Sequence, residues 1–223
     1  IAQSSLHFSP GGARLGYLAG HPNLFFVLDN RAVGPLAQFS IAYDSADAGF
    51  AHAAFDGRAW RLVTQYTGRS IDRELDAVPL GLLLSPDGNH LAATLRKPLG
   101  TTIVTLDDST VAEHDAVKAL CFSADGKGLA WAAQVKGGWR IIVDGAASPR
   151  YGNVWSLALG PDARHYACVV RSGRGYSVVA DGTIVGRYDD LLVPPLFNSA
   201  REFRFIARRR GRYLQVTVAI PPD

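Results

Sequence analysis

Six times along this chain an apolar residue (Phe8, Tyr43, Leu84, Phe122, Leu159, Phe197) stands at the mouth of a short polar turn, at successive spacings of 35, 41, 38, 37 and 38 residues. Self-similarity at a period of about 20 to 50 residues restricts a chain to solenoids, propellers and related arrays, because one repeat cannot bury its own apolar face. The turn has a defined chemistry. In Ser85-Pro86-Asp87-Gly88, proline presets φ at the second position, the Ser and Asp side chains can bond nearby backbone, and glycine suits the exit of a type I turn. Worn copies are Ser9-Pro10-Gly11-Gly12, Ser123-Ala124-Asp125-Gly126 and Gly160-Pro161-Asp162-Ala163. A second column keeps the same register: Asp29, Tyr66, Asp107, Asp144 and Asp181 close an apolar run 21, 23, 23, 22 and 22 residues after the respective anchors. Asp144-Gly145 and Asp181-Gly182 are two-residue hairpin signals, with Asp29-Asn30 and Asp107-Asp108 in the matching places.

Leu120 to Asp144 shows the unit best. Three apolar runs rich in aromatic and β-branched residues are parted by two tight turns, the pattern of an antiparallel meander. Leu75-Val78, His114-Val117, Tyr151-Val154 and Tyr188-Leu191 are read as a fourth strand, giving strands a to d in each unit. The predicted fold is all-β: a six-bladed β-propeller of four-stranded antiparallel blades, one domain over 1–223, with repeats near 6–40, 41–81, 82–119, 120–156, 157–195, and 196–223 plus 1–5. Small residues on strand b (Ala92, Ala93, Ala130, Ala132, Ala167) suit close blade contact, with Trp131, Trp139 and Tyr176 filling the gaps. The unit from Ile41 to Val78 is placed by spacing alone, since its turn is Asp44-Ser45-Ala46-Asp47. In the sixth unit strand d would begin at Ala219, so closure is expected from the N-terminal segment, with residues preceding Ile1 pairing along Arg212 to Val218.

The recurring Phe-Ser-Pro-Asp-Gly, the later Trp139-Arg140-Ile141-Ile142-Val143-Asp144-Gly145 and the Tyr-Asp-x-Val run resemble the WD-like repeats of bacterial TolB-type propellers, best from Leu82 to Val193. The resemblance implies a six-bladed bacterial propeller serving as an interaction scaffold, with a periplasmic or cell-surface location. TolB's additional N-terminal domain is absent from this stretch, as are the Gly-His and Trp-Asp dipeptides of eukaryotic WD repeats. Such motifs are turn and packing residues and speak to fold more than to function.

Composition narrows the rest. With 48% hydrophobic and 19% charged residues the chain is no disordered polymer, and no apolar run is long enough for a membrane-spanning helix. There is no methionine, so Ile1 is not read as a translation start, and a targeting segment is left undecided. Cys121 and Cys168 fall in apolar runs and are read as buried free thiols. No short-spaced His/Cys/Asp cluster suggests a metal, no cofactor is implied, and the His90 and His165 pair of equivalent positions reads as exposed hairpin corners. There is no Gly-x-Ser-x-Gly elbow, and Gly173-Arg174-Gly175 joins two strands without the helix N-terminus that holds phosphate. The acidic pairs Asp107-Asp108 and Asp189-Asp190 are read as solvated.

Sorting charge by loop gives the one functional signal. The loops between strands b and c carry Asp56 as their only acid beside ten bases: Arg58, Arg96, Lys97, Lys136, Arg171, Arg174, Arg208, Arg209, Arg210 and Arg212. The opposite face collects Asp29, Asp87, Asp107, Asp108, Asp125, Asp144, Asp162 and Asp181. The expected function is a non-catalytic, monomeric binding module. Its partner, a protein or another anionic ligand, is expected on the basic b–c loops or at the channel mouth, with Arg96, Lys97, Lys136, Arg171, Arg174, Arg208, Arg209, Arg210 and Arg212 as binding residues. Nucleic acid fits less well, because the aromatics read as core residues rather than neighbours of the basic loops. The alternative is an enzyme, a lyase or hydrolase with its site in the central channel, or a module that restricts access in a longer enzyme. The net charge of +3 and a pI near 9.0 decide between none of these.

Overall fold

The polar turns fold the chain back on itself throughout, and all regular structure among the described residues is antiparallel β-strand. The structure, a computed structural model, describes residues 6–19, 24–29, 31–36, 38–45, 49–66, 69–173 and 175–221. They group into two compact units, 1–113 and 114–223.

The first unit holds three four-stranded meanders. Their strands are β1 (Leu6–Phe8), β2 (Leu15–Ala19), β3 (Leu24–Leu28) and β4 (Arg31–Leu36); β5 (Gln38–Tyr43), β6 (Phe50–Phe55), β7 (Trp60–Tyr66) and β8 (Arg69–Leu75); and β9 (Val78–Leu84), β10 (Leu91–Arg96), β11 (Thr102–Leu106) and β12 (Ser109–His114). The second unit holds β13 (Val117–Phe122), β14 (Leu129–Val135), β15 (Gly138–Val143) and β16 (Ala146–Ala147); β17 (Val154–Leu159), β18 (Tyr166–Ser172), β19 (Gly175–Ala180) and β20 (Thr183–Tyr188); and the three-stranded β21 (Asp190–Ser199), β22 (Glu202–Arg209) and β23 (Arg212–Ala219). Residues 1–5, which the repeat register assigns to this last sheet, lie outside the described residues.

The fourth strands begin earlier than the sequence reading placed them. β8, β12, β16 and β20 follow the third strands directly, and Asp76-Ala77 or Asp115-Ala116 are corners leading to the next first strand. The reason is local. Asp107 and Asp108 (φ 48° and 70°), Asp144 and Gly145 (44° and 86°) and Asp181 and Gly182 (44° and 85°) adopt left-handed backbone at both central turn positions, so two residues suffice to reverse the chain.

The cores are interfaces between neighbouring sheets. In the second unit Ala130, Ala132 and Ile141 pack on Val154, Cys168 and Val179, while the other face of that sheet, through Ala167, Val169 and Val178, packs on Phe203, Phe205 and Ala207. The small residues on second strands are fully buried as expected, because only a near-absent side chain lets two pleated faces close up. In the first unit the sheet of β5–β8, assigned by spacing alone, packs on that of β9–β12 through Ala51, Ala53, Leu62, Tyr66, Leu84 and Ala93.

Candidate functional site

The repeated acidic column proves to be structural. Asp29, Asp107, Asp144 and Asp181 each accept the backbone N–H of the residue that opens the second strand, Leu15, Leu91, Leu129 and Tyr166, at 3.3, 3.0, 3.2 and 2.8 Å. The second carboxylate oxygen then takes the side chain before that residue: Arg14 at 3.1 Å, His90 Nδ1 at 2.6 Å and His165 Nδ1 at 2.8 Å. This corrects the reading of His90 and His165 as exposed corners. His165 is only 7% exposed and His90 half-buried, each oriented by its aspartate. The turn serines work from the other side. Ser85 and Ser123 are fully buried and donate to Asp87 and Asp125 at 2.5 Å, while accepting N–H groups of His90 and Gly128 at 2.9 and 2.8 Å.

The basic residues fall on hairpins between second and third strands. In the first unit Arg58, Arg96 and Lys97 meet at a cleft of about 520 Å³ with Phe55, Trp60 and Leu75 on its apolar side and Glu74 and Asp76 at its rim. The rings of Phe55 and Trp60 lie 5.5 Å apart, so aromatic side chains do border a basic loop, against the sequence reading. Asp56 shapes this hairpin by accepting N–H groups from Ala59 and Arg58, which hold its carboxyl below the usual carboxylate range. Lys97 donates to Glu113 at 2.7 Å, whereas Arg58 and Arg96 make no ion pair with the described residues.

In the second unit Lys136 is exposed on the β14–β15 hairpin, where its carbonyl accepts from Arg150, a base the loop sorting missed. Arg171 is exposed at the end of β18, and Arg174 lies outside the described residues. Arg209 and Arg212 are direct cross-strand partners at the tip of the β22–β23 hairpin, and Arg210 with Gly211 forms its turn (φ 52° and 76°). The N–H of Arg210 is held by Asp189 at 2.7 Å and Arg208 faces Asp190 at 4.0 Å, which leaves Arg209 and Arg212 without an acid among the described residues. Like charges placed directly opposite across strands are destabilising, so this tip is maintained at a cost. With Leu214, Arg209, Arg210 and Arg212 border an open cleft of about 610 Å³.

The most strongly perturbed groups lie elsewhere. Burial pushes the Cys121 and Cys168 thiols up to about 12, and both are free, as expected. Burial holds His52, in the middle of β6, down to about 4 against the weaker opposing field of Asp72. Among the described residues no three His, Cys, Asp or Glu side chains converge as metal ligands, and no helix is long and apolar enough to cross a membrane.

No protein-family model matches this sequence and no curated protein is significantly similar to it. Solved structures do match. An oligogalacturonate lyase in complex with manganese is 14% identical over 97% of this chain and 76% of its own, with a TM-score of 0.58. The β-propeller domain of Cps50 (Swd1) from Myceliophteria thermophila is 13% identical over 96% and 83%, with a TM-score of 0.50. TolB from Acinetobacter baumannii is 16% identical over 95% of this chain, which spans 62% of the TolB chain, with a TM-score of 0.49. At these identities the likeness is one of fold: meandering antiparallel sheets of the β-propeller type, in keeping with the WD-like character of the repeats.

Proposed function

We propose that the six meanders close into one monomeric six-bladed propeller that acts as an interaction module, binding an anionic partner through the hairpins between second and third strands. In such a ring these hairpins emerge on one face. Arg58, Arg96, Lys97, Lys136, Arg171, Arg174, Arg208, Arg209, Arg210 and Arg212 then belong to one cationic surface. The reading is carried by the uncompensated pair at the β22–β23 tip, Arg209 opposite Arg212, beside an open cleft. A repulsive pair held at an exposed hairpin tip gains by meeting a carboxylate, sulfate or phosphate group, and charge-assisted hydrogen bonds from arginine suit all three.

The test is retention on immobilised heparin. The double reversal R209E/R212E should elute at clearly lower salt than the wild-type chain, while R164E/R187E, an equal change of net charge on exposed arginines elsewhere, should not. Equal elution of the two variants refutes the reading. The large shifts of Cys121, Cys168 and His52 belong to side chains within strands, which favours binding over acid–base chemistry. The enzyme alternative is tested separately, by incubation with an oligogalacturonate and manganese.

A further inference from the structure

Several first strands share a distortion that the repeat motif does not announce. In β17, Val154 pairs with Val170 and Ser156 with Val169, so Trp155 is an extra residue opposite no partner, a β-bulge. In β21, Leu191 pairs with Ala207 and Val193 with Ile206, which leaves Leu192 in the same situation. A bulge re-aims a side chain, and here it turns large apolar groups outward: Trp155 is 55% exposed and Leu192 50%, while their neighbours Val154 and Leu191 are buried.

The surroundings of Trp155 are suited to binding. The Tyr176 ring lies 5.3 Å away, tilted by 42°. Arg171, the cross-strand partner of Tyr176, is exposed and makes no ion pair with the described residues. Its N–H donates to the Asn153 carbonyl at 3.1 Å, and the Asn153 side chain accepts a hydrogen bond from Lys118, whose ammonium also lies 3.8 Å from the centre of the Trp139 ring. β21 runs beside β17 and adds exposed Leu192 and Val193 to the same unit. Asp190, the acid on β21, faces Arg208. The result is an aromatic and aliphatic patch with Arg171 at its edge, built from residue types that dominate protein-binding energetics.

We propose that Trp155, Tyr176, Arg171 and Leu192 form a docking site for an acidic protein segment that carries one apolar side chain between carboxylates. This rests on the chain being an interaction module and adds the chemistry of the partner. The apolar side chain covers Trp155 and Leu192, and a flanking carboxylate meets Arg171. A nucleic acid is disfavoured because the two rings touch each other instead of offering successive stacking platforms. A glycan is disfavoured because the aliphatic neighbours offer nothing to sugar hydroxyls.

Two labelled dodecapeptides of Glu, Gly and Ser serve as probes, one with a central Leu and one with Ser in its place, titrated by fluorescence anisotropy. The Leu peptide should bind about tenfold more tightly, W155A should remove that increment, and R171E should weaken both peptides. R209E/R212E should leave the increment intact. Acrylamide quenching, taken as the difference from W155F, should show Trp155 shielded by the Leu peptide. Equal affinity of the two peptides, absence of binding, an unchanged W155A, or shielding of Trp155 by an oligogalacturonate or an oligothymidylate but by neither peptide each overturns the proposal. Loss of heparin retention in R209E/R212E without peptide discrimination removes this site and leaves the basic-face reading standing; the converse result does the reverse.

Discussion

His52 makes the stability of the first unit depend on pH in a way that can be calculated. It lies in the middle of β6, 3% exposed, with the Phe50 ring stacked 6.0 Å away on the same face of the strand. Burial lowers its pKa from 6.5 to about 4, opposed by Asp72, which is itself tied to Arg61 at 2.5 Å. The folded-state value lies below the unfolded one, so between these values the unfolded chain binds more protons. The contribution is therefore complete above pH 6.5 and is lost as pH falls through 4. For these two values, moving from pH 7.5 to 4.5 costs the folded state about 2.5 kcal/mol through this residue alone. Urea denaturation followed by circular dichroism, at both pH values, should show the wild type losing that much more stability than H52L. Any uniform cost of the substitution cancels in the difference. If wild type and H52L lose the same stability on acidification, His52 is not desolvated as described.

Ala163 occupies the turn-closing position taken elsewhere by Gly12, Gly88 and Gly126, at φ 60°, so A163G should stabilise the chain by about 1 kcal/mol in thermal melts. A Cβ on Gly175 would meet the Tyr188 carbonyl oxygen at 2.5 Å whereas one on Gly152 meets nothing within 4 Å, so G175A should be clearly the more destabilising of the pair in the same melts. The thiols of Cys121 and Cys168 should resist Ellman's reagent at pH 8 in the folded chain and react fully in denaturant, since burial keeps the thiolate scarce. D181N should cost about 1–2 kcal/mol by denaturation, because the amide that replaces the carboxylate cannot accept from both the Tyr166 N–H and His165.

The strands and their order were legible because they are set by turn chemistry a few residues long. Ser-Pro-Asp-Gly and Asp-Gly reverse the chain wherever they occur, and the Ala residues of second strands announce close packing. The burial of His165 was not, because a histidine three places after a turn aspartate reads as a polar corner. The signal existed one step further on. Extending the β18–β19 register by one residue places Tyr166 opposite Asp181 and His165 beside it, and the same step places Leu15 opposite Asp29 and Leu91 opposite Asp107, with Arg14 and His90 beside them. The cleft at Arg96 and Lys97 was half legible: the charges belong to one loop, but the Phe55–Trp60 pair that forms its apolar side comes from the neighbouring sheet. Trp155 was hidden altogether, since Val-Trp-Ser-Leu-Ala-Leu reads as an unbroken buried run.

That last residue offers the sharpest test of the structure, because a bulged residue is the one position in a strand that can be deleted without shifting register. Val154 and Ser156 already pair with the adjacent residues Val170 and Val169, so removal of Trp155 joins them into a regular ladder and every other side chain keeps its face. Removal of Leu157, which pairs with Cys168, has the opposite effect: the residues on one side of the cut must turn over, exposing either Val154 or Leu159, both now buried. Each such apolar side chain contributes about 2–3 kcal/mol, and the whole strand turns with it. The chain lacking Trp155 should therefore melt within a few degrees of wild type while losing the Leu-dependent peptide increment, and the chain lacking Leu157 should be largely unfolded. The same rule extends to Leu80 of β9, left over between Pro79, paired with Leu95, and Gly81, paired with Thr94, and likewise 50% exposed. If deletion of Trp155 proves as damaging as deletion of Leu157, the residue is part of the ladder after all, and its outward aim toward a partner loses its structural basis.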